Sequence, residues 1–181
     1  MYMKKRIITK IGDVFCIAID GKYKKYLQYI VNDLTQLNSD VVRVFKELYP
    51  IEVEPELSEV IKGDVDFYAH CVVSAGIKRE LWEKVGNVKD VGETKHILFK
   101  IKKDFSSSEK QDDWEIWNIN EEPLRIRVQD EAFKQAYLGL VFQPIELSLN
   151  TIYLYLLAIR LSMGIPSATR SQIRQSTPFF C

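Results

Sequence analysis

Two histidines, His70 and His96, are the only imidazoles in the chain. A serine or cysteine nucleophile needs such a base, and a third residue to hold the base in place. No GxSxG elbow accompanies them. His70 stands directly before Cys71, but neighbouring residues on a strand point to opposite faces, so this pair does not converge on one metal. Neither HExxH nor a second Cys/His pair completes a ligand set. Carboxylate pairs are the other chemical candidates. Asp64 and Asp66, two residues apart, fall on one strand face and could share acid–base or metal work, and Asp112-Asp113 with Glu115 forms a second group. The plainer reading of each is a solvated strand edge. The eight glycines form neither GxGxxG nor GxxxxGK, so the backbone cradle for nucleotide phosphates is not visible. The expectation is a chain without catalytic residues, cofactor or metal.

What remains is recognition. Residues Glu109 to Glu122, EKQDDWEIWNINEE, carry Glu109, Asp112, Asp113, Glu115, Glu121 and Glu122 against the single cation Lys110, around Trp114 and Trp117. Aromatic anchors inside a charged rim are the residue types that dominate protein interfaces, and complementary charge speeds encounter. The competing reading is an ordinary strand with wet flanks, because Trp114 and Trp117 fall on opposite strand faces and at least one should be core. A second candidate surface is the hairpin bearing Tyr23, Tyr26 and Tyr29 next to Lys22, Lys24 and Lys25. Exposed, it would be a small platform for RNA or single-stranded DNA.

Strands must position these residues. Val14 to Ile19 and Tyr26 to Val31 flank Asp20-Gly21, the dipeptide suited to positive φ angles in a hairpin turn. Both arms are apolar on successive positions, which predicts a central hairpin covered on both faces. Val41 to Phe45 and Phe67 to Val73 read as further strands, with a short helix over Pro55 to Lys62 ending at Gly63. Lys78 to Lys84 reads as irregular. His96 to Ile101 and Trp114 to Ile119 alternate as strands, and Arg125 to Val128 follows with Leu124, Ile126 and Val128 turned inward. Leu149, Ile152, Tyr153, Leu156 and Ile159 recur at helical spacing and predict a C-terminal helix.

At 181 residues, 46% hydrophobic and 28% charged, the chain can build a packed core unaided by disulfide or metal staples. Lys and Arg total 25, as do Asp and Glu, so no net positive field favours nucleic acid or anionic lipid. Cys16, Cys71 and Cys181 are an odd set without CxxC, as in a reducing compartment. The basic start runs into Gly12 and Asp13 instead of an apolar stretch, which does not read as a secretory signal. Ile152 to Ile159 is closed by Arg160, short of the roughly 20 residues a spanning helix needs. These features together read as a cytoplasmic protein. From Leu147 onward no acidic residue occurs while Arg160, Arg170 and Arg174 remain. The segment reads either as an apolar helix with a frayed end or as a docking segment, for instance for a homodimer through that helix.

The opening GDVFCIAIDGKYKKYLQYIV, the central LWEKVGNV, and DDWEIWNINEEPLRI followed by YLGLVFQPIEL together resemble the immunity protein 26 family of bacterial polymorphic toxin systems. The resemblance covers about residues 8 to 147, and the acid-free tail departs from it. It implies a β-rich single domain of the α+β class over 1–147, a strongly bent antiparallel sheet or partly open barrel with short helices; the helical spacing, not the resemblance, predicts the C-terminal helix and tail over 148–181. It implies a non-catalytic protein that binds and neutralises a cognate toxin in the producer cytoplasm. On that reading Glu109, Asp112, Asp113, Trp114, Glu115, Trp117, Glu121 and Glu122 are the toxin-binding candidates. The alternatives are the nucleic-acid module and a small metal-dependent enzyme using Asp64 and Asp66.

Overall fold

The structure is a computed structural model and describes residues 7–102, 114–127 and 130–149. Asp20 (φ 51°) and Gly21 (φ 74°) take the left-handed backbone that a tight turn demands, and the Lys22 N–H donates to Ile19 O at 3.3 Å. The turn joins β1 (Asp13–Ile19) to β2 (Tyr23–Asp33) as an antiparallel hairpin. β3 (Ser39–Phe45) pairs with the other side of β2. The short β4 (Tyr49–Pro50) continues along β2 at Tyr23 and Lys24. After α1 (Leu57–Val60), β5 (Val65–Cys71) pairs with β3. Next come α2 (Val73–Lys78) and β6 (Glu83–Asn87), the latter on the free side of β1. The hairpin is therefore central, as its unbroken apolar arms require.

β7 (Leu98–Lys102), β8 (Trp114–Asn118) and β9 (Leu124–Ile126) start a second sheet. Past α3 (Glu131–Gln135), β10 (Tyr137–Leu138) joins β7 in parallel. β11 (Val141–Phe142) then crosses back to pair in parallel with β5, ahead of α4 (Pro144–Leu149). The protein is thus β-rich with short helices, built on a seven-stranded sheet ordered β11-β5-β3-β2-β1-β6, with β4 beside β2, and a four-stranded sheet ordered β10-β7-β8-β9. Both sheets are mixed and neither closes into a barrel among the described residues. The expectation of a strongly bent antiparallel sheet or partly open barrel gives way to two mixed sheets, and the two-residue strands β10 and β11, too short to leave a pattern, are what make the sheets mixed. Within Lys78 to Lys84, residues 79–82 are irregular as expected, while Lys78 ends α2 and residues 83–84 begin β6. Leu124 is 69% exposed and not turned inward, and only Ile126 of that strand's expected inner set is buried; Val128 and most of the expected C-terminal helix lie outside the described residues.

One core cluster, Ile30, Val41, Ile97, Phe99 and Trp117, joins β2 and β3 of the first sheet to β7 and β8 of the second. Another gathers Phe15, Leu27, Val42, Val44 and Ala69 with Trp82, and extends to Trp114, Phe133 and Leu138. Gly139 explains its own residue type, because any Cβ there would overlap the Trp117 ring.

Candidate functional site

β2 ends in a buried carboxylate that organises everything around it. Asp33 is wholly inaccessible, yet it faces donors from three other parts of the chain. Its Oδ2 lies 3.0 Å from His70 Nε2 on β5 and accepts the Trp117 Nε1–H of β8 at 2.9 Å. Its Oδ1 accepts the Thr35 hydroxyl at 3.1 Å and the backbone N–H groups of Thr35, Gln36 and Asn120 at 3.3, 3.4 and 3.4 Å. Asp followed two residues on by Thr is the local pattern by which a side chain caps its own turn. The same carboxylate thereby fixes the β2–β3 turn and reaches the β8–β9 turn.

Asn120 completes the lock. It holds φ 63°, a left-handed conformation that asparagine tolerates better than most residues. Its side chain accepts the Leu34 N–H at 2.8 Å and donates to Asn32 O at 3.0 Å. The Glu121 carbonyl accepts from Gln36 Nε2 at 3.3 Å and lies 3.4 Å from Thr35 Oγ1, and Asn118 Nδ2 donates to Glu121 Oε2 at 3.1 Å. Two loops distant in sequence thus form one braced surface, with Asn120, Glu121 and Glu122 exposed and Leu34 and Leu124 each 69% exposed.

The electrostatics of the junction are settled by its donors. Burial alone would raise the Asp33 carboxyl, but hydrogen bonds from Trp117, His70 and Thr35 outweigh it and hold the group below its ordinary value. Burial lowers His70, and the opposing pull of Asp33 does not restore it. His70 is therefore neutral beside an ionised Asp33, with the proton on Nε2 as donor. Its Nδ1 is buried without a hydrogen-bond partner among the described residues, and the ring centroid lies 4.1 Å from that of Phe99. An imidazole held by a carboxylate has the composition of a catalytic base, but both side chains are 0% exposed. A substrate cannot reach them, and the pair works here as a crosslink between strands.

The sequence candidates divide sharply. Trp114 and Trp117 are 5% and 3% exposed, so both are core residues and neither is a surface anchor. Trp114 packs edge-on against Phe133 with centroids 5.0 Å apart. Glu115 is half-buried on β8 opposite Arg125. Glu121 and Glu122 are exposed as expected, whereas Glu109, Asp112 and Asp113 lie outside the described residues. In the basic aromatic hairpin, Lys24, Lys25, Tyr26 and Tyr29 are buried. Tyr26 stacks edge-on with Tyr49, and Lys25 Nζ binds Asp66 Oδ2 at 2.5 Å. Four of the six residues of the nucleic-acid platform are thus turned into the protein, while Lys22 and Tyr23 stay exposed, and Asp66 is engaged by Lys25. Among the described residues no group of three or more His, Cys, Asp or Glu side chains could hold a metal, and no helix is long and apolar enough to cross a membrane.

Sequence reasoning missed Asp33, Leu34, Asn120 and Leu124. Two signals pointed to them: Asp33-Leu34-Thr35 directly after a long apolar strand, and Asn120-Glu121-Glu122-Pro123 directly after an aromatic one. Comparison with protein-family models, curated proteins and solved structures finds no match.

Proposed function

We propose that this protein is a non-catalytic immunity protein of the producer cytoplasm that binds a cognate bacterial toxin through the braced surface of the β2–β3 and β8–β9 turns. One observation carries the reading: Leu34 and the exposed pair Glu121–Glu122 sit on turns that the Asp33 junction holds in place before any partner arrives, with the exposed Leu124 at the start of β9 just beyond them. A pre-ordered surface loses little conformational entropy on binding, so more of its contact energy appears as affinity. Apolar side chains beside carboxylates fit a basic cleft, of the kind a nuclease uses to hold phosphate, with leucines supplying buried area and glutamates steering encounter. The aromatic anchors of the sequence reading are replaced here by Leu34 and Leu124. The resemblance to the immunity family supplies the partner class.

The test is to read the neighbouring genes for a toxin with a variable C-terminal domain and to co-express that domain with this chain. The wild-type chain should restore growth, and Glu121→Lys with Glu122→Lys should weaken toxin binding in a calorimetric titration while the thermal melt stays in place. Unchanged affinity in that double variant removes this surface, and death of cells expressing both proteins removes the function.

A further inference from the structure

The other end of β2 presents a different surface. Tyr23 pairs with Pro50 of β4, which sets the two residues side by side on one face of that short ladder. Tyr23 is 44% exposed, Leu48 50% and Val53 44%, and Pro50 is exposed beside them. The segment is tied down: the Ile51 N–H donates to Lys22 O at 2.9 Å and the Val53 N–H to Pro50 O at 3.1 Å. Along the same segment Glu47, Glu52, Glu54 and Glu56 are exposed, four carboxylates against the two exposed cations Lys22 and Lys46. Glu47 accepts from the Tyr49 hydroxyl at 3.0 Å. The carboxylates of Glu52, Glu54 and Glu56 engage no ion pair or hydrogen bond among the described residues.

Exposed apolar area and like charges close together are each unfavourable in water, and one kind of partner relieves both. We propose that the Tyr23 end of β2 is a docking surface for a lysine- or arginine-rich, apolar segment of a partner protein. Charge complementarity selects this occupant. A second copy would bring the same glutamates face to face, and a nucleic acid would set phosphate against carboxylate. The surface stands apart from the toxin-facing turns, at the far end of the longest strand, so the inference does not depend on the toxin reading.

The test uses the full chain and a fluorescent peptide of alternating lysine and leucine, with two control peptides in which leucine becomes serine or lysine becomes glutamate. Saturable binding of the lysine–leucine peptide alone is expected, about tenfold weaker in the triple variant Glu52→Gln, Glu54→Gln, Glu56→Gln and in Tyr23→Ser. The double variant Glu121→Gln, Glu122→Gln should bind as the wild type does. Three peptide outcomes overturn the proposal: no binding, equal binding of the lysine–serine peptide, or affinity indifferent to the triple variant. Sedimentation as a dimer that dissociates in the triple variant assigns the surface to a second copy instead. A photoreactive group at position 23 that links within one chain to residues 150–181 assigns it to the protein's own end. Either result also overturns the proposal.

Discussion

The two ends of β2 use carboxylates in opposite ways. At the Asp33 end a single buried charge is spent entirely on the protein itself, drawing in a histidine, a tryptophan and two turns. At the Tyr23 end several carboxylates stand in water with no internal use. β2 is 11 residues long, so at roughly 3.3 Å per residue the ends lie about 33 Å apart. A standard interface of about 800 Å² per partner reaches roughly 16 Å from its centre, so one contact centred on either end stops about halfway along the strand and leaves the other end outside it. Burial decides which end holds the fold together and which is free to meet a partner.

The comparison breaks most visibly at Asp33. Replacing it with alanine strands the donors of His70, Trp117 and the turn N–H groups, and with each buried donor left unsatisfied costing about 1–3 kcal/mol the total should reach about 3–5 kcal/mol. Urea unfolding of Asp33→Ala should show a loss of that size. A loss under about 1 kcal/mol would mean that the junction is not the brace described. Next in size, Asn120→Ala removes the bonds to Leu34 N and Asn32 O and leaves a left-handed backbone without its side-chain support. The expected cost is about 1–2 kcal/mol. Hydrogen exchange at Leu34 to Gln36 should quicken more than exchange across β1.

Acid should act on the same end in two stages. His70 is held below its ordinary 6.5 in the folded state, so under that pH the unfolded chain takes up a proton that the folded chain does not. Stability is therefore full above 6.5 and declines as pH falls toward the folded value. Asp33 is held below 3.8, so its contribution is present above 3.8 and is lost as pH drops through its own folded value. Substituting His70 with asparagine, which does not titrate, should flatten the first stage and shrink the second without abolishing it, because the Trp117 and Thr35 bonds to Asp33 remain. Urea midpoints measured from pH 7.5 down to 3 check both stages, and an unchanged first stage in His70→Asn would assign the loss to another group.

The central hairpin was legible because Asp20-Gly21 and the unbroken apolar runs of β1 and β2 are local signals, each readable within a few residues. Asp33 was not, because its meaning depends on residues far along the chain: His70 lies 37 positions away and Trp117 84. No window of sequence contains such a network. Trp117 shows the same limit from the other side. Its acidic neighbours resembled an interface rim, but its indole N–H is consumed by Asp33 and its ring closes over Gly139. Leu124 was misassigned because alternation predicts an inner face only where something covers it, and β9, on the free edge of the four-stranded sheet, leaves that residue uncovered. The buried lysines Lys24 and Lys25 likewise carried a surface signature into the interior, where Asp66 meets Lys25.

The smallest expected effect sharpens the contrast most. Exposed side chains without internal partners contribute within about 0.5 kcal/mol of nothing to stability. Glu52→Gln, Glu54→Gln and Glu56→Gln together should therefore leave the urea midpoint almost unmoved at neutral pH. If anything the change is a slight gain, because the substitutions remove repulsion among neighbouring carboxylates. That gain should shrink as salt is added, since screening already weakens contacts between exposed charges. A loss of about 2 kcal/mol would instead place these carboxylates in the protein's own network, as at Asp33, and the two ends of β2 would no longer differ in kind.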